Sequence, residues 1–371
     1  MTTTTVNAKR HGAPLGSGGL GSAIAQTPNG DLTGIQYARA LAAMMVVVHH
    51  LEPQFLRMGF APPMWSGLSS GVDIFFVISG MIMWVTTCDR DISPLTFLYR
   101  RFARIVPLYW LATTATVIVM IVVPSALQTG RFDLYHVLAS YAFLAWPSPA
   151  TGQYEPVVIP GWTLNYEMLF YLVFSLLLLA RRSKRLLLAS SFFVLLALAG
   201  LIPGVARNGE AAFYTSPLML EFVFGMGLGE LYARTGLLKA ISPRWAVFIA
   251  LSGIVFILIG PSLAPDVSRF LLRGIPALAV VTGVLALDAQ GAVRENWLLL
   301  LLGNASYSLY LTHPFVLSAL SQFWRKRHLD HLPLGLWLFA ALAITLSCLL
   351  AALSYRLVEL PLIGFFRRRR R

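Results

Sequence analysis

The sequence predicts an all-α fold: a polytopic integral membrane helical bundle of about ten transmembrane helices plus one short interfacial or re-entrant helix. Three observations predict it. Of 371 residues, 57% are hydrophobic and only 12% charged, against roughly a quarter charged in ordinary soluble domains. Apolar runs of the roughly 20 residues that a helix needs to cross a bilayer recur along the chain. Lys and Arg gather in alternate connecting segments, as they do when basic loops are kept on one side of a membrane. The formal charge of +13 therefore reads as contact with the membrane lipids of an anionic leaflet and calls for no nucleic acid.

Residues 1–33 mix Thr, Gly, Ser, Ala, Pro and Asn without an apolar core, the composition of a disordered tail and not of a cleavable signal peptide. Spans follow at about 35–53, 69–87, 104–123, 163–180, 186–203, 214–233, 245–260, 274–290, 298–323 and 334–357. The stretch 132–146, FDLYHVLASYAFLAW, is too short to span and is read as the interfacial or re-entrant helix. The chain then divides into a cytoplasmic tail at 1–33, one membrane domain at 34–361 and a basic cytoplasmic tail at 362–371. Both termini share the side that holds the basic residues of 90–104, RRSKR and the terminal arginines. Only RKRHLDH at 325–331 opposes that orientation. Cys88 and Cys348 are the only cysteines; they offer no disulfide framework and no metal-ligand spacing, so no metal is expected.

Ionisable side chains inside spans are costly and tend to mark function. In RALAAMMVVVHH, Arg39 and His50 are three helical turns apart, so they share one face and stand roughly 16 Å apart along it. The orientation sorts the other groups into two layers. His50, Asp73 and Glu167 are expected near the outer side; Arg39, the cluster Arg100, Arg101 and Arg104, and Glu359 are expected near the inner side. A neutral imidazole at His50, or at the adjacent His49, is a candidate general base, with Asp73 or Glu167 as the carboxylate that orients it. In YRRFARIVPLYW, Arg100 and Arg101 both lie three or four residues from Arg104 and share its helix face. Their guanidinium forks suit phosphate oxygens, although arginines there also serve as topology signals.

Glycines bracket GVDIFFVISG and imply close helix packing or a kink; its Asp73 is a helix cap as readily as a functional partner. PGWTLNYEMLFY brings Trp162, an interfacial anchor or a platform for a sugar, with Asn165 and Glu167. LGNASYSLYLTHPF sets Tyr310 and His313 along related faces ahead of Pro314. A proton-coupled transporter of a glycan or small solute would use the same buried acids and histidines, but it accounts less well for the arginine cluster.

Taken in order, RALAAMMVVVHH, GVDIFFVISG, FLYRRFARIVPLYW, WTLNYEMLFY and NASYSLYLTHP resemble the motifs of the membrane acyltransferase type 3 family over 34–361. The RALAA start and WTLNYE look most like its exopolysaccharide O-acyltransferase branch. The resemblance implies a multi-pass enzyme of the bacterial inner membrane. Such an enzyme moves an acyl group, usually acetyl, from cytoplasmic acyl-CoA to a hydroxyl of a glycan or lipid-linked glycan. Acetyl-CoA is then a donor substrate and no cofactor is permanently bound. By the same resemblance, His50, Asp73, Glu167 and His313 are catalytic, and Arg39, Arg100, Arg101 and Arg104 hold CoA. Asn165 and Tyr310 are candidates for polarising the thioester, and Trp162 for stacking on the acceptor sugar.

Overall fold

A computed structural model describes residues 26–27, 30–60, 66–124, 130–264 and 266–368. Most of the tail expected at 1–33, and the last three residues of the basic tail, lie outside the described residues. Two short strands, β1 (Gln26–Thr27) and β2 (Gly30–Asp31), pair antiparallel ahead of the first helix. Then come α1 (Thr33–His49), the short α2 (Glu52–Arg57), α3 (Gly71–Thr87), α4 (Pro94–Val122) and the short α5 (Leu134–Tyr141). The helices α6 (Trp162–Leu177) and α7 (Arg182–Ala199) lead through α8 (Pro203–Ala206) and α9 (Gly209–Tyr214) into α10 (Met219–Arg234). The chain closes with α11 (Leu237–Ala240), α12 (Pro243–Leu263), α13 (Ile275–Ala289), α14 (Trp297–Asn304), α15 (Ser306–Lys326), α16 (Gly335–Ser354) and α17 (Leu360–Arg368).

Helix occupies each of the positions expected to span. Six helical runs are long and apolar enough to cross a membrane: Ser66–Thr87, Pro94–Val122, Gly209–Arg234, Pro243–Leu263, Phe270–Ala289 and Gly335–Phe366. The others fall short of that measure for local reasons. α1 and α6 have 17 and 16 residues, α7 opens with RSKR, and α15 carries hydroxyls, His313 and a terminal Arg-Lys pair. On the perimeter, Leu195, Phe256 and Trp337 are each about two-thirds exposed, an apolar surface suited to lipid tails. The protein is a multi-pass helical membrane bundle.

Four expected boundaries move. α4 begins at Pro94, ten residues before the expected span, because Ser93 Oγ accepts from the Thr96 amide at 3.2 Å and proline suits the first helical turn. The arginines of YRRFAR therefore lie within a helix. The span expected at 298–323 is two helices that meet at Ala305. α14 packs on the start of α1 there, so closely that a Cβ on Gly303 would lie 2.2 Å from the Gln36 carbonyl oxygen. The last span continues through a π-helical turn, Tyr355–Glu359, into α17. The interfacial stretch is helical only over Leu134–Tyr141, capped by Asp133 and ended where Phe143 turns to a positive φ of 57°.

The buried α3 is the hub of the bundle. A Cβ on Gly80 would lie 2.0 Å from the Phe222 carbonyl oxygen, and one on Gly225 would lie 2.0 Å from that of Val77. The α3–α10 crossing thus admits no side chain at either position, the close packing that the glycine-bracketed motif implied. Phe222 stacks between Phe76 and Phe170 beside it, with ring centroids 4.6 and 4.4 Å away. At the start of α1, the Asp288 carboxylate accepts from the amides of Gly34 at 2.7 Å and Ile35 at 3.0 Å, satisfying two donors that a helix start leaves open. α1, α3, α4, α6 and α15 are thereby held around a shared interior.

Candidate active site

Two cavities open into that interior. The first, about 90 Å³, is lined by Arg39 from α1, Ser79 from α3, Arg101 and Arg104 from α4, Glu167 and Tyr171 from α6, and Tyr307 and Tyr310 from α15. Arg39 is buried and donates Nη1 to Gln36 Oε1 at 3.0 Å. Arg101 Nε has no partner among the described residues. Glu167 Oε1 accepts from Ser79 Oγ at 2.9 Å and from the Tyr171 hydroxyl. Glu359, also buried, accepts from Ser308 Oγ at 2.6 Å and lies within electrostatic range of Arg39 and Arg104. Among the described residues none of the three arginines closes an ion pair, so the cavity keeps guanidinium donors and a surplus of positive charge for an anion.

The second cavity, about 480 Å³, lies at the other end of α1. His50 lines it, with Pro53 and Gln54, the loop 155–160, and Pro314 and Phe315 of α15. His50 caps the C-terminal end of α1, so a single helix carries Arg39 into one cavity and holds His50 at the other. His50 Nδ1 is 3.0 Å from the Val46 carbonyl oxygen and 3.1 Å from His313 Nε2, and His313 Nδ1 is 3.1 Å from the Leu309 carbonyl oxygen. Carbonyl oxygens only accept, so each Nδ1 carries the proton. His50 Nδ1–H is then shared between the Val46 carbonyl oxygen and His313 Nε2, and the lone pair of the neutral His50 ring is at Nε2. A neutral imidazole held in this way has the chemistry of a base with an orienting partner.

Two hydroxyl groups, both donating to one carbonyl oxygen, stand between the cavities. The Tyr310 hydroxyl donates to the Pro160 carbonyl oxygen at 2.9 Å and lies 2.9 Å from Thr163 Oγ1, which itself donates to Pro160 at 3.1 Å. Tyr310 and Thr163 line the arginine cavity, whereas Pro160 lines the histidine cavity. This septum marks where a group bound on one side would meet the other.

The structure gathers Arg39, Arg101, Arg104, Glu167 and Tyr310 around the first cavity and His50 with His313 at the second. It does not bring either expected carboxylate to His50. Glu167, expected level with that histidine, lies among the arginines, because five residues of helix from Trp162 carry it roughly 7 Å inward. Asp73 is fully buried and lines neither cavity; its carboxylate takes a two-pronged ion pair from Arg269, at 2.8 and 3.3 Å. Arg100 is exposed and lines neither cavity, since one residue of helix rotates it about 100° from Arg101. Trp162 packs edge-on against Tyr166, and Asn165 is buried with both amide atoms unpartnered; neither lines a cavity. His49 faces Glu52 at 3.9 Å and lines neither cavity. Arg269, Thr163 and Tyr307 escaped the sequence reading because each is placed by a partner more than a hundred residues away, Asp73, Tyr310 and the Ile105 carbonyl respectively.

A family model for an acyltransferase domain, acyltransferase family 3, matches residues 32–356. The exopolysaccharide production protein ExoZ of Rhizobium meliloti is 40% identical over 310 residues, covering 81% of this chain and 92% of that protein. O-acetyltransferase OatA of Staphylococcus aureus is 25% identical over 358 residues, covering 89% of this chain and 57% of that protein. No solved structure matches. The chain belongs to the membrane acyltransferase type 3 family, resembles its exopolysaccharide O-acetyltransferase-like branch, and is an enzyme that transfers acyl groups other than amino-acyl groups.

Proposed function

We propose that the enzyme moves an acyl group, acetyl in the first instance, from cytoplasmic acyl-CoA to a hydroxyl of an exopolysaccharide glycan or its lipid-linked precursor. It does so in the bacterial inner membrane with both termini cytoplasmic. The observation that carries this reading is the pair of cavities, one lined by unpaired arginines and the other by a histidine with a free lone pair, separated by the septum of Tyr310, Thr163 and Pro160. Arg39, Arg101 and Arg104 hold the CoA phosphates and the pantetheine arm leads the thioester toward the septum. The acceptor occupies the histidine cavity. His50 Nε2 takes the proton of its hydroxyl as the oxygen attacks the thioester carbonyl. The carbon–sulfur bond breaks, the proton passes to the departing thiolate, and an ester and free CoA result. His313 is a positioning residue: its Nε2 keeps the His50 proton on Nδ1 and stabilises the imidazolium while it lasts.

Reconstitution with radiolabelled acetyl-CoA and candidate glycans tests the reading. Wild type is expected to label glycan and to release CoA in step with it, and His50→Ala is expected to do neither. Equal label transfer by both proteins would remove His50 from the chemistry.

A further inference from the structure

The histidine cavity is charged in a way that binding a neutral hydroxyl does not explain. Arg57, from α2, and Arg131 line it. The first is pre-set, donating Nη1 to the oxygen of buried Gln54 at 3.0 Å. Arg325, in the last turn of α15, acts on Arg57 electrostatically and has an Nε without a partner. Partial burial, and then the Arg325 charge, draw the Arg57 guanidinium below its usual range. Among the described residues none of the three arginines closes an ion pair. Glu155 is the carboxylate on the cavity wall, and its Oε1 accepts from Thr151 Oγ1 at 2.7 Å. Apart from the imidazoles, Phe315 is the one aromatic ring that the described residues give the lining, so stacking on a sugar face contributes little beside the hydrogen-bonding side chains and the guanidiniums.

We propose that Arg57 and Arg131, with Arg325 beside Arg57, form a subsite for a phosphoryl group borne by the acceptor, so that the acceptor is a phosphate-bearing glycan. Guanidinium forks match phosphate oxygens two at a time. The proposal rests on reading this cavity as the acceptor chamber. It concerns binding alone, so its test needs no acyl transfer.

The full-length protein in phosphatidylcholine nanodiscs is titrated with inorganic pyrophosphate. Wild type and Arg207→Gln, an exposed arginine outside both cavities, are expected to bind alike. The double variant Arg57→Gln/Arg131→Gln is expected to bind about tenfold more weakly, roughly 1.4 kcal/mol. Its exposed positions leave the fold in place, which the elution profile checks. Binding unchanged in that variant, or lost only in Arg101→Gln/Arg104→Gln, would overturn the subsite. A second titration in nanodiscs containing phosphatidylglycerol separates the two sources of phosphate. Retained pyrophosphate binding supports an acceptor phosphate, and full displacement would give the arginines to lipid headgroups and overturn the assignment. Failure of glycan labelling by the wild-type enzyme would overturn the transferase reading and leave these binding results standing.

Discussion

The arginine cavity is narrow, about 90 Å³, and is walled by guanidiniums, tyrosines and aliphatic side chains; the histidine cavity is about 480 Å³ and walled by prolines, aliphatic side chains, the imidazoles of His50 and His136, and the guanidiniums of Arg57 and Arg131. On the proposed reading the first takes a thin arm with an anionic end, and the second something bulky that offers a proton. Two carboxylates inside the bundle differ in the same instructive way. Glu167 sits within reach of the arginines and is held by hydroxyls of α3 and α6, where it moderates charge without neutralising it. Asp73 is spent on Arg269 and fastens the start of α3 to the segment before α13.

The division between cavities is most open to attack at His50. His50→Ala is expected to lower transfer by roughly 10²–10⁴-fold, the usual contribution of a general base, while His49→Ala, outside both cavities, stays within about threefold; label incorporation into glycan measures both. Next comes Arg101→Ala, expected to raise the acyl-CoA KM by roughly tenfold or more with kcat little changed, since hydrogen bonds to charged groups contribute about 1.5–3 kcal/mol. His313→Leu is expected to lower kcat by about tenfold by removing the acceptor for His50 Nδ1–H. His313→Gln, whose amide oxygen accepts that proton, is expected to recover much of the loss, a pattern that simple packing damage would not give.

Smaller effects sharpen the comparison. Tyr310→Phe removes one septum hydroxyl and is expected to raise acyl-CoA hydrolysis in the absence of acceptor by roughly two- to tenfold, matching one hydrogen bond of about 0.5–1.5 kcal/mol. Asp73→Asn is expected to leave the acyl-CoA KM unchanged and to cost about 2 kcal/mol of stability, less than a fully buried pair because Arg269 is one-third exposed. Thermal unfolding in detergent reads that loss.

Hydropathy and charge sufficed for the all-helical membrane fold because lipid tolerates little else. Glycines at both ends of GVDIFFVISG announced close packing, and eleven residues of helix carried Arg39 and His50 to opposite ends of one face. What the sequence could not yield was pairing across long separations. His50 meets His313 263 positions later, and Asp73 meets Arg269 after 196; no local spacing encodes either contact. Depth was also blurred. Glu167 lies only one turn inside its motif, and a shift of one turn decides which cavity it joins. Arg100 was grouped with its neighbours by spacing to Arg104, yet the helix turns it outward.

The claim that donor binding and proton abstraction occupy separate cavities is tested most directly by measuring the initial rate of acyl transfer against acyl-CoA concentration for wild type, Arg104→Ala and His50→Ala. The account predicts that Arg104→Ala climbs to the wild-type maximum at raised acyl-CoA, whereas His50→Ala stays low at every concentration. Two variants that fall together across the whole range, with neither restored by donor, would contradict it.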